Sequence, residues 1–185
     1  MNFCSSCGAR VVQRIPPGDD LARHVCEACE TIHYQNPKIV AGCIPEWGNR
    51  ILMCRRAIEP RQGLWTLPAG FMEMGETTEE AAARETLEES GASVEIGQLY
   101  SVFSIPRINQ VYIMFRGQMK CESFQAGAES LEVKLVRADQ IPWDELAFPV
   151  IRIILERYIS EREQGTYGIY VGNIDTGRVL RTDAD

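Results

Sequence analysis

No stretch of this chain approaches the roughly 20 consecutive apolar residues needed to cross a bilayer, and the opening MNFCSSCGAR has no apolar h-region of a secretory signal. These absences argue against a membrane partner and lead to the expectation of a cytoplasmic protein. Positive charge is also scarce: 19 Lys and Arg stand against 26 Asp and Glu, a formal net charge of -7. That balance argues against broad binding to nucleic acid, which relies on basic surface to displace counterions. A small anionic substrate would need a metal or a local Arg cluster. Internal repeats are missing too. What remains, 185 residues at 45% hydrophobic and 24% charged, suits one medium domain with a small appendage.

Four of the seven cysteines pair by spacing. Cys4 and Cys7 form one Cys-x-x-Cys, Cys26 and Cys29 another, and the gap between them falls within the range of a four-thiolate zinc site. Gly8 after Cys7 suits the backbone turn of such a knuckle. In a chain without an export signal, zinc is the expected occupant rather than disulfides. A segment of about 35 residues cannot build much core, so a structural Zn²⁺ with no open position would supply its folding energy. His24 and His33 lie near the cysteines and are expected to be surface or packing residues. Cys43, Cys54 and Cys121 sit in apolar, strand-like runs and are expected to be buried thiols.

After Pro37 the pattern changes. KIVAGCIPEWGNRILMCRRA reads as two strands around a Gly48-Asn49 turn. Residues 92–104, 109–120 and 131–137 read as further strands. Residues 148–163 read as an amphipathic helix, with Ile151, Ile154, Leu155, Tyr158 and Ile159 on one side. Irregular alternation of strands and helices implies a mixed sheet covered by helices. The tail after Gln164 is polar, with a short apolar stretch at 167–171 that would add an edge strand or contact a second subunit.

GETTEEAAARETLEESG, residues 75–91, places acid where a helix disfavours it. Thr77 or Thr78 can cap its start, with Glu80 completing a capping box after Thr77, and Gly91 can take the left-handed position at its end. On a helix over Thr78–Ser90, Glu85, Glu88 and Glu89 fall within an arc of roughly 100°. Glu85 and Glu89 are a repelling i,i+4 pair, and the last turn faces the negative end of the macrodipole. Helix stability does not account for this arrangement, whereas clustered oxygen ligands for Mg²⁺ or Mn²⁺ do. Upstream, Gly63, Pro68, Gly70 and Gly75 mark a loop that runs from a strand into the helix, so carbonyls near Ala69 and Gly70 can face the metals.

Gly70, five residues, Glu76, seven residues, then Arg84-Glu85-Thr86-Leu87-Glu88-Glu89-Ser90-Gly91-Ala92 resembles the Nudix box, G-x5-E-x7-R-E-U-x-E-E-x-G-U with U aliphatic. Every charged and glycine position matches, and the departures are Thr86 and Ala92 at aliphatic positions. Together with the four-Cys ribbon, HYQNPKIVAG, IPRINQVYIMF and AESLEVKL, the chain is similar to the Nudix hydrolases that include plant chloroplast FAD and ADP-ribose diphosphatases and their bacterial relatives. The resemblance implies an α/β (α+β) fold, a Nudix α/β/α sandwich with a mixed sheet preceded by a small zinc ribbon, often dimeric. It divides the chain into a ribbon over 1–35, a hydrolase domain over 36–163 and a polar C-terminal extension over 164–185.

Carried over by motif position, the resemblance implies that Glu85, Glu88 and Glu89 with the Ala69 carbonyl bind Mg²⁺ or Mn²⁺, while Glu76 and Arg84 brace loop and helix. A further acid from a later loop would be Glu129 or Glu132. The general base would be Glu88, Glu89 or Glu129. The implied reaction cleaves a nucleoside diphosphate linked to another moiety, a small nucleotide-sugar or dinucleotide: FAD to FMN and AMP, or ADP-ribose to AMP and ribose 5-phosphate. Arg55, Arg56, Arg61 and Arg107 are candidate diphosphate clamps, and Trp65, Tyr100, Phe103 and Tyr112 candidate stacking surfaces for a substrate ring. Zinc-ribbon relatives acting on NADH or NAD-capped RNA carry S-Q-P-W-P-F-P-x-S after the box. YSVFSIPRINQ stands there instead, which ranks NADH second. A non-catalytic ligand sensor is the alternative of a different class, and the complete set of acids weighs against it.

Overall fold

The computed structural model describes residues 1–175 and 178–181; positions 176–177 and 182–185 of the expected C-terminal extension lie outside the described residues. The chain forms two units, Met1–Pro37 and a second beginning at Lys38. In the first, β1 (Val11–Arg14), β2 (Arg23–Cys26) and β3 (Ile32–His33) make an antiparallel sheet in that order. Only Cys4, Pro16, Val25 and Cys26 are buried in it. So few apolar contacts cannot offset the entropy of ordering such a segment, which is the condition under which a metal is required.

The second unit runs β4 (Lys38–Trp47), β5 (Arg50–Arg56), β6 (Trp65–Thr66), β7 (Ala69–Phe71), α1 (Thr78–Ser90), β8 (Val94–Ile105), β9 (Gln110–Met119), β10 (Ser130–Val136), α2 (Pro149–Gln164), β11 (Tyr170–Asp175) and β12 (Arg178–Arg181). Its sheet has the order β10-β5-β4-β9-β8-β11-β12, with β6 on β5 and β7 on β4. The pairs β4/β9 and β8/β11 are parallel and the rest antiparallel, so the expected mixed sheet is present. The β4/β5 hairpin turns at Gly48-Asn49, where Gly48 adopts φ 58° at no steric cost.

Period-2 alternation in β4 decides what covers each face. Val40 and Ile44 join a core with Ile151, Ile154, Leu155 and Tyr158 of α2. Ala41 and Cys43 join a second core with Ala81 and Ala82 of α1. The two helices therefore cover opposite faces, an α/β/α sandwich. Of the apolar side expected for α2, Ile159 is only partly buried, and Val150 joins the buried set.

The loop before α1 contributes the short strands β6 and β7, which were not anticipated. The tail adds to the sheet, the first of the two expected alternatives: β11, which begins within the apolar stretch, runs parallel to β8 with Tyr170 opposite Ser101, and β12 rather than β11 is the edge. Cys43 and Cys54 are buried as expected, but Cys121 is exposed, because β9 ends at Met119 and Cys121 falls in the connection beyond it. None of the described helices is long and apolar enough to cross a membrane.

Candidate functional site

The acidic helix is fixed at both ends. Thr77 Oγ1 accepts from the Glu80 N–H at 3.1 Å and Glu80 Oε2 accepts from the Thr77 N–H at 2.7 Å, the reciprocal capping box. At the other end Gly91 takes φ 63° and donates to the Leu87 carbonyl at 2.8 Å. Two further carbonyls of the last turn are met from outside: Glu89 O by the Gly127 N–H at 3.1 Å and Ser90 O by the Gln125 N–H at 2.9 Å. These donors offset the negative helix end that Glu88 and Glu89 otherwise face. Thr86 and Ala92, the two departures from the box, are fully buried. The Thr86 hydroxyl donates to the Ala82 carbonyl at 2.7 Å and lies 3.1 Å from Cys43 Sγ, so its polar atom is satisfied inside the core.

Arg84 ties the loop to the helix. Its Nε and Nη2 donate to Glu76 at 3.0 and 2.7 Å, Nη2 also to the Phe71 carbonyl at 3.1 Å, and Nη1 to Glu85 at 2.7 Å and Glu88 at 3.0 Å. The bidentate bond from Arg84 holds the Glu76 carboxyl down at about 2, helped by the Glu73 N–H. Glu89 is the opposite case. It is 6% exposed. Burial, then the charge of Glu85, pushes its carboxyl up to about 8, while Arg56 and the Ala69 N–H pull weakly the other way. Glu85 is raised for the same first reason. Glu88 is solvent-accessible.

Backbone geometry brings Ala69 to this cluster. Cys43 N–H donates to Pro68 O and Met72 N–H to Ile39 O, with Ala41 opposite Gly70. The alternation of an antiparallel pair then turns the N–H and C=O of Ala69 away from β4. The N–H meets Glu89, and the carbonyl lies on that same side of β7. Gly70 is the residue that allows this packing: a Cβ there would overlap the Glu85 carboxylate.

The remaining candidates separate clearly. The charge of Glu129 acts on both Glu85 and Glu89, whereas Glu132 pairs with Arg55 at 3.9 Å. Arg55 Nε is also bonded to the Gly63 carbonyl. Arg56 stacks on Phe148 at 5.2 Å, bonds the Pro60 carbonyl at 2.9 Å, and its charge reaches Glu89 and Tyr112. Arg61 lies exposed in the loop between β5 and β6, and Arg107 in the exposed turn between β8 and β9. Trp65, Tyr100 and Phe103 are core residues. Tyr112, 8% exposed, is the aromatic whose hydroxyl senses Glu89. Nothing in the local sequence distinguishes Arg56 from Arg55 or Tyr112 from the other aromatics. Their association with the acids arises from pairing across β5, β4 and β9. The carboxylates and carbonyl on this side of the helix are hard oxygen donors, and buried Glu89 beside half-buried, like-charged Glu85 fits a divalent cation.

In the first unit the four cysteine sulfurs lie within 4.8 Å of one another. Cys4 Sγ is 3.7 Å from Cys29 Sγ and Cys7 Sγ 3.4 Å from Cys26 Sγ. N–H groups of Ser6, Ala28 and Cys29 point at sulfur at 3.4 Å, as thiolate ligands require. Gly8 at φ 73° and Glu30 at φ 57° close the two knuckles in equivalent left-handed positions. His33 Nε2 lies 3.3 Å from Cys4 Sγ, so it is a neighbour of the sulfur cluster rather than a plain surface residue. His24 meets the N-terminal amine at 3.4 Å. Four soft ligands at this spacing fit a closed tetrahedral zinc site.

Comparison with known proteins finds a family match for each of the two units. Residues 36–157 match the NUDIX domain model and residues 2–35 the Nudix N-terminal zinc-ribbon model. The crystal structure of a NUDIX hydrolase from Nitrosomonas europaea is 55% identical, with a TM-score of 0.92 over 94% of this chain and 99% of that one. An ADP-ribose pyrophosphatase of Methanocaldococcus jannaschii is 34% identical over 125 residues, 65% of this chain and 73% of that protein. An NAD-capped RNA hydrolase NudC of Vibrio parahaemolyticus is 36% identical over 97 residues, 51% of this chain but only 35% of the NudC length. The domain match spans more than half of the residues and contains the whole acid cluster, and on that ground the chain belongs to the Nudix family and carries its N-terminal zinc ribbon.

Proposed function

We propose that this protein hydrolyses the diphosphate bond of a nucleoside diphosphate linked to another moiety, ADP-ribose first and FAD second. In this reading Mg²⁺ or Mn²⁺ is held by Glu85, Glu88, Glu89 and the Ala69 carbonyl. The observation that carries the proposal is the gathering of Glu85, Glu88, Glu89 and Glu129 around one loop that Arg84 and Glu76 fasten in place. The bound cation supplies charge neutralisation on the phosphoryl oxygens and acidifies a water. The recessed Glu85 and Glu89 serve as ligands, while the exposed Glu88 and Glu129 are reachable by water and can take its proton. Arg56, held by Phe148 and the Pro60 carbonyl, presents a guanidinium suited to phosphate.

The relative named ADP-ribose pyrophosphatase supports that substrate, and the broader resemblance to FAD and ADP-ribose diphosphatases supports FAD. A second reading, NADH or an NAD-capped RNA, draws on the NudC likeness, and the missing S-Q-P-W-P-F-P-x-S stretch ranks it lower. The family resemblance also supports a homodimer, which light scattering would test. Incubation with Mg²⁺ and ADP-ribose, FAD, NADH or diadenosine polyphosphates, followed by detection of AMP, decides among the substrates. AMP release from none of them would replace the hydrolase with the ligand sensor. Full turnover by both Glu88→Gln and Glu89→Gln at saturating Mg²⁺ would remove the metal assignment.

A further inference from the structure

The segment 125–130 is sewn to three neighbours. Gln125 and Gly127 donate to the Ser90 and Glu89 carbonyls, at the helix turn that bears Glu88 and Glu89. The Glu129 carbonyl accepts from the Ala57 N–H at 2.8 Å, fastening the segment to the end of β5. Within it, Ser130 N–H closes a turn on the Gly127 carbonyl at 3.1 Å, and Ser130 itself is buried and enters β10 opposite Arg56. Glu129 occupies the third position of this turn, close enough for its charge to act on Glu85 and Glu89.

The closest of these approaches is at Gly127. A Cβ built there overlaps the Glu88 carbonyl, a backbone atom that cannot swing aside as a side chain would. Gly127 has an ordinary backbone conformation, since it is absent from the residues of positive φ. Its lack of a side chain therefore serves the close approach and not an unusual dihedral. Any larger residue must lift the turn off α1 and carry Glu129 with it.

We infer that Gly127 is a positioning residue, and that its contact with the Glu88–Glu89 backbone sets the distance between the Glu129 carboxylate and the acids of α1. The inference rests on the metal reading proposed above. It predicts that Gly127→Ala weakens Mg²⁺ binding, read by titration calorimetry without substrate, and lowers kcat, each by about tenfold or more, with KM for ADP-ribose changed by no more than about twofold. Since the effect runs through Glu129, Gly127→Ala added to Glu129→Gln should cost nothing beyond Glu129→Gln alone. A glycine inserted after Gly127 displaces Glu129 without introducing a Cβ, and should reproduce the Mg²⁺ defect even if the alanine variant fails to fold.

Wild-type Mg²⁺ affinity in the insertion variant, or losses that multiply in the double mutant, would overturn the inference while leaving Glu129 in the site. Wild-type Mg²⁺ affinity in Glu129→Gln would remove Glu129 from the site and the inference with it, leaving Glu85, Glu88 and Glu89 untouched. Loss of Mg²⁺ dependence as a whole would instead strike the metal reading.

Discussion

Glu76 and Glu89 lie in one motif on either side of Arg84, and the fold treats them in opposite ways. Glu76 receives two guanidinium bonds and the Glu73 N–H, and its carboxyl is held at about 2. Glu89 is buried beside Glu85 and Glu129, and its carboxyl is pushed up to about 8. The first acid is already neutralised by a cation that the chain supplies, so its role is to hold the loop. The second is charged only at a cost, and that cost is removed by a cation from outside. In the metal reading proposed above, Glu76, clasped by two guanidinium bonds, is the brace, and Glu89, which Arg84 does not bond, is a ligand.

The largest expected effect tests the ligand side. Glu89→Gln keeps the shape and removes the charge, so turnover of the cleaved substrate should fall about a thousandfold, the scale of several kcal/mol of lost charge stabilisation. The same variant should be at least as stable as the wild type at pH 8 without divalent ions, because a buried unpaired charge is gone. A loss of both activity and metal-free stability would mean that Glu89 is a structural residue, and the division would fail.

Arg84→Ala comes next. It frees the loop and leaves Glu85 and Glu88 without their guanidinium, and groups that orient ligands from behind typically cost about 10- to 100-fold in metal affinity or activity. Glu76→Gln removes only the partner on the loop side and should fall at the low end of that range. Steady-state kinetics over a Mg²⁺ titration would rank Glu89→Gln, Arg84→Ala and Glu76→Gln in that order. An effect of Glu76→Gln as large as that of Glu89→Gln would show that the two acids share one role.

How much of this was legible in the sequence depends on range. The caps Thr77, Glu80 and Gly91, the shared face of the acids and the two cysteine knuckles are all local, set by spacings of two to four residues, and the structure shows each. Whether Glu129 or Glu132 approaches the site was undecidable from AESLE. The structure separates the two by long-range contacts: Glu132 pairs with Arg55, while Glu129 lies on the turn that meets the helix end, where its charge acts on Glu85 and Glu89. The same turn supplies the N–H groups that answer the acid at the negative helix end, a solution invisible at helical range. Trp65 sits beside the motif in sequence, yet β6 draws it into the core. Cys121 resembled Cys43 and Cys54 by composition, but the strand ends at Met119, two residues before it, and leaves it outside.

The smallest effect is in pH, and it separates the two acids by sign. Glu76 binds fewer protons folded than unfolded between about pH 2 and 4.5, so it stabilises the protein increasingly as pH rises through that window. Glu89 binds more protons folded than unfolded between about pH 4.5 and 8, so stability falls as pH rises through its window and levels off above it. Glu85, also raised, acts in the second direction. With zinc present and divalent ions otherwise removed, the melting temperature should decline by several degrees from pH 5 to pH 8, at about 2–4 °C for each kcal/mol. Glu89→Gln should flatten most of that decline. Mg²⁺ must displace nearly a full proton from Glu89 at pH 5 but only about half of one at pH 8, so its stabilising effect should grow across the same interval. Calorimetry on both proteins, with and without Mg²⁺, measures all four curves. A wild-type stability that rises steadily from pH 5 to 8 in the absence of Mg²⁺ would place Glu89 with Glu76, as an acid already provided with its cation.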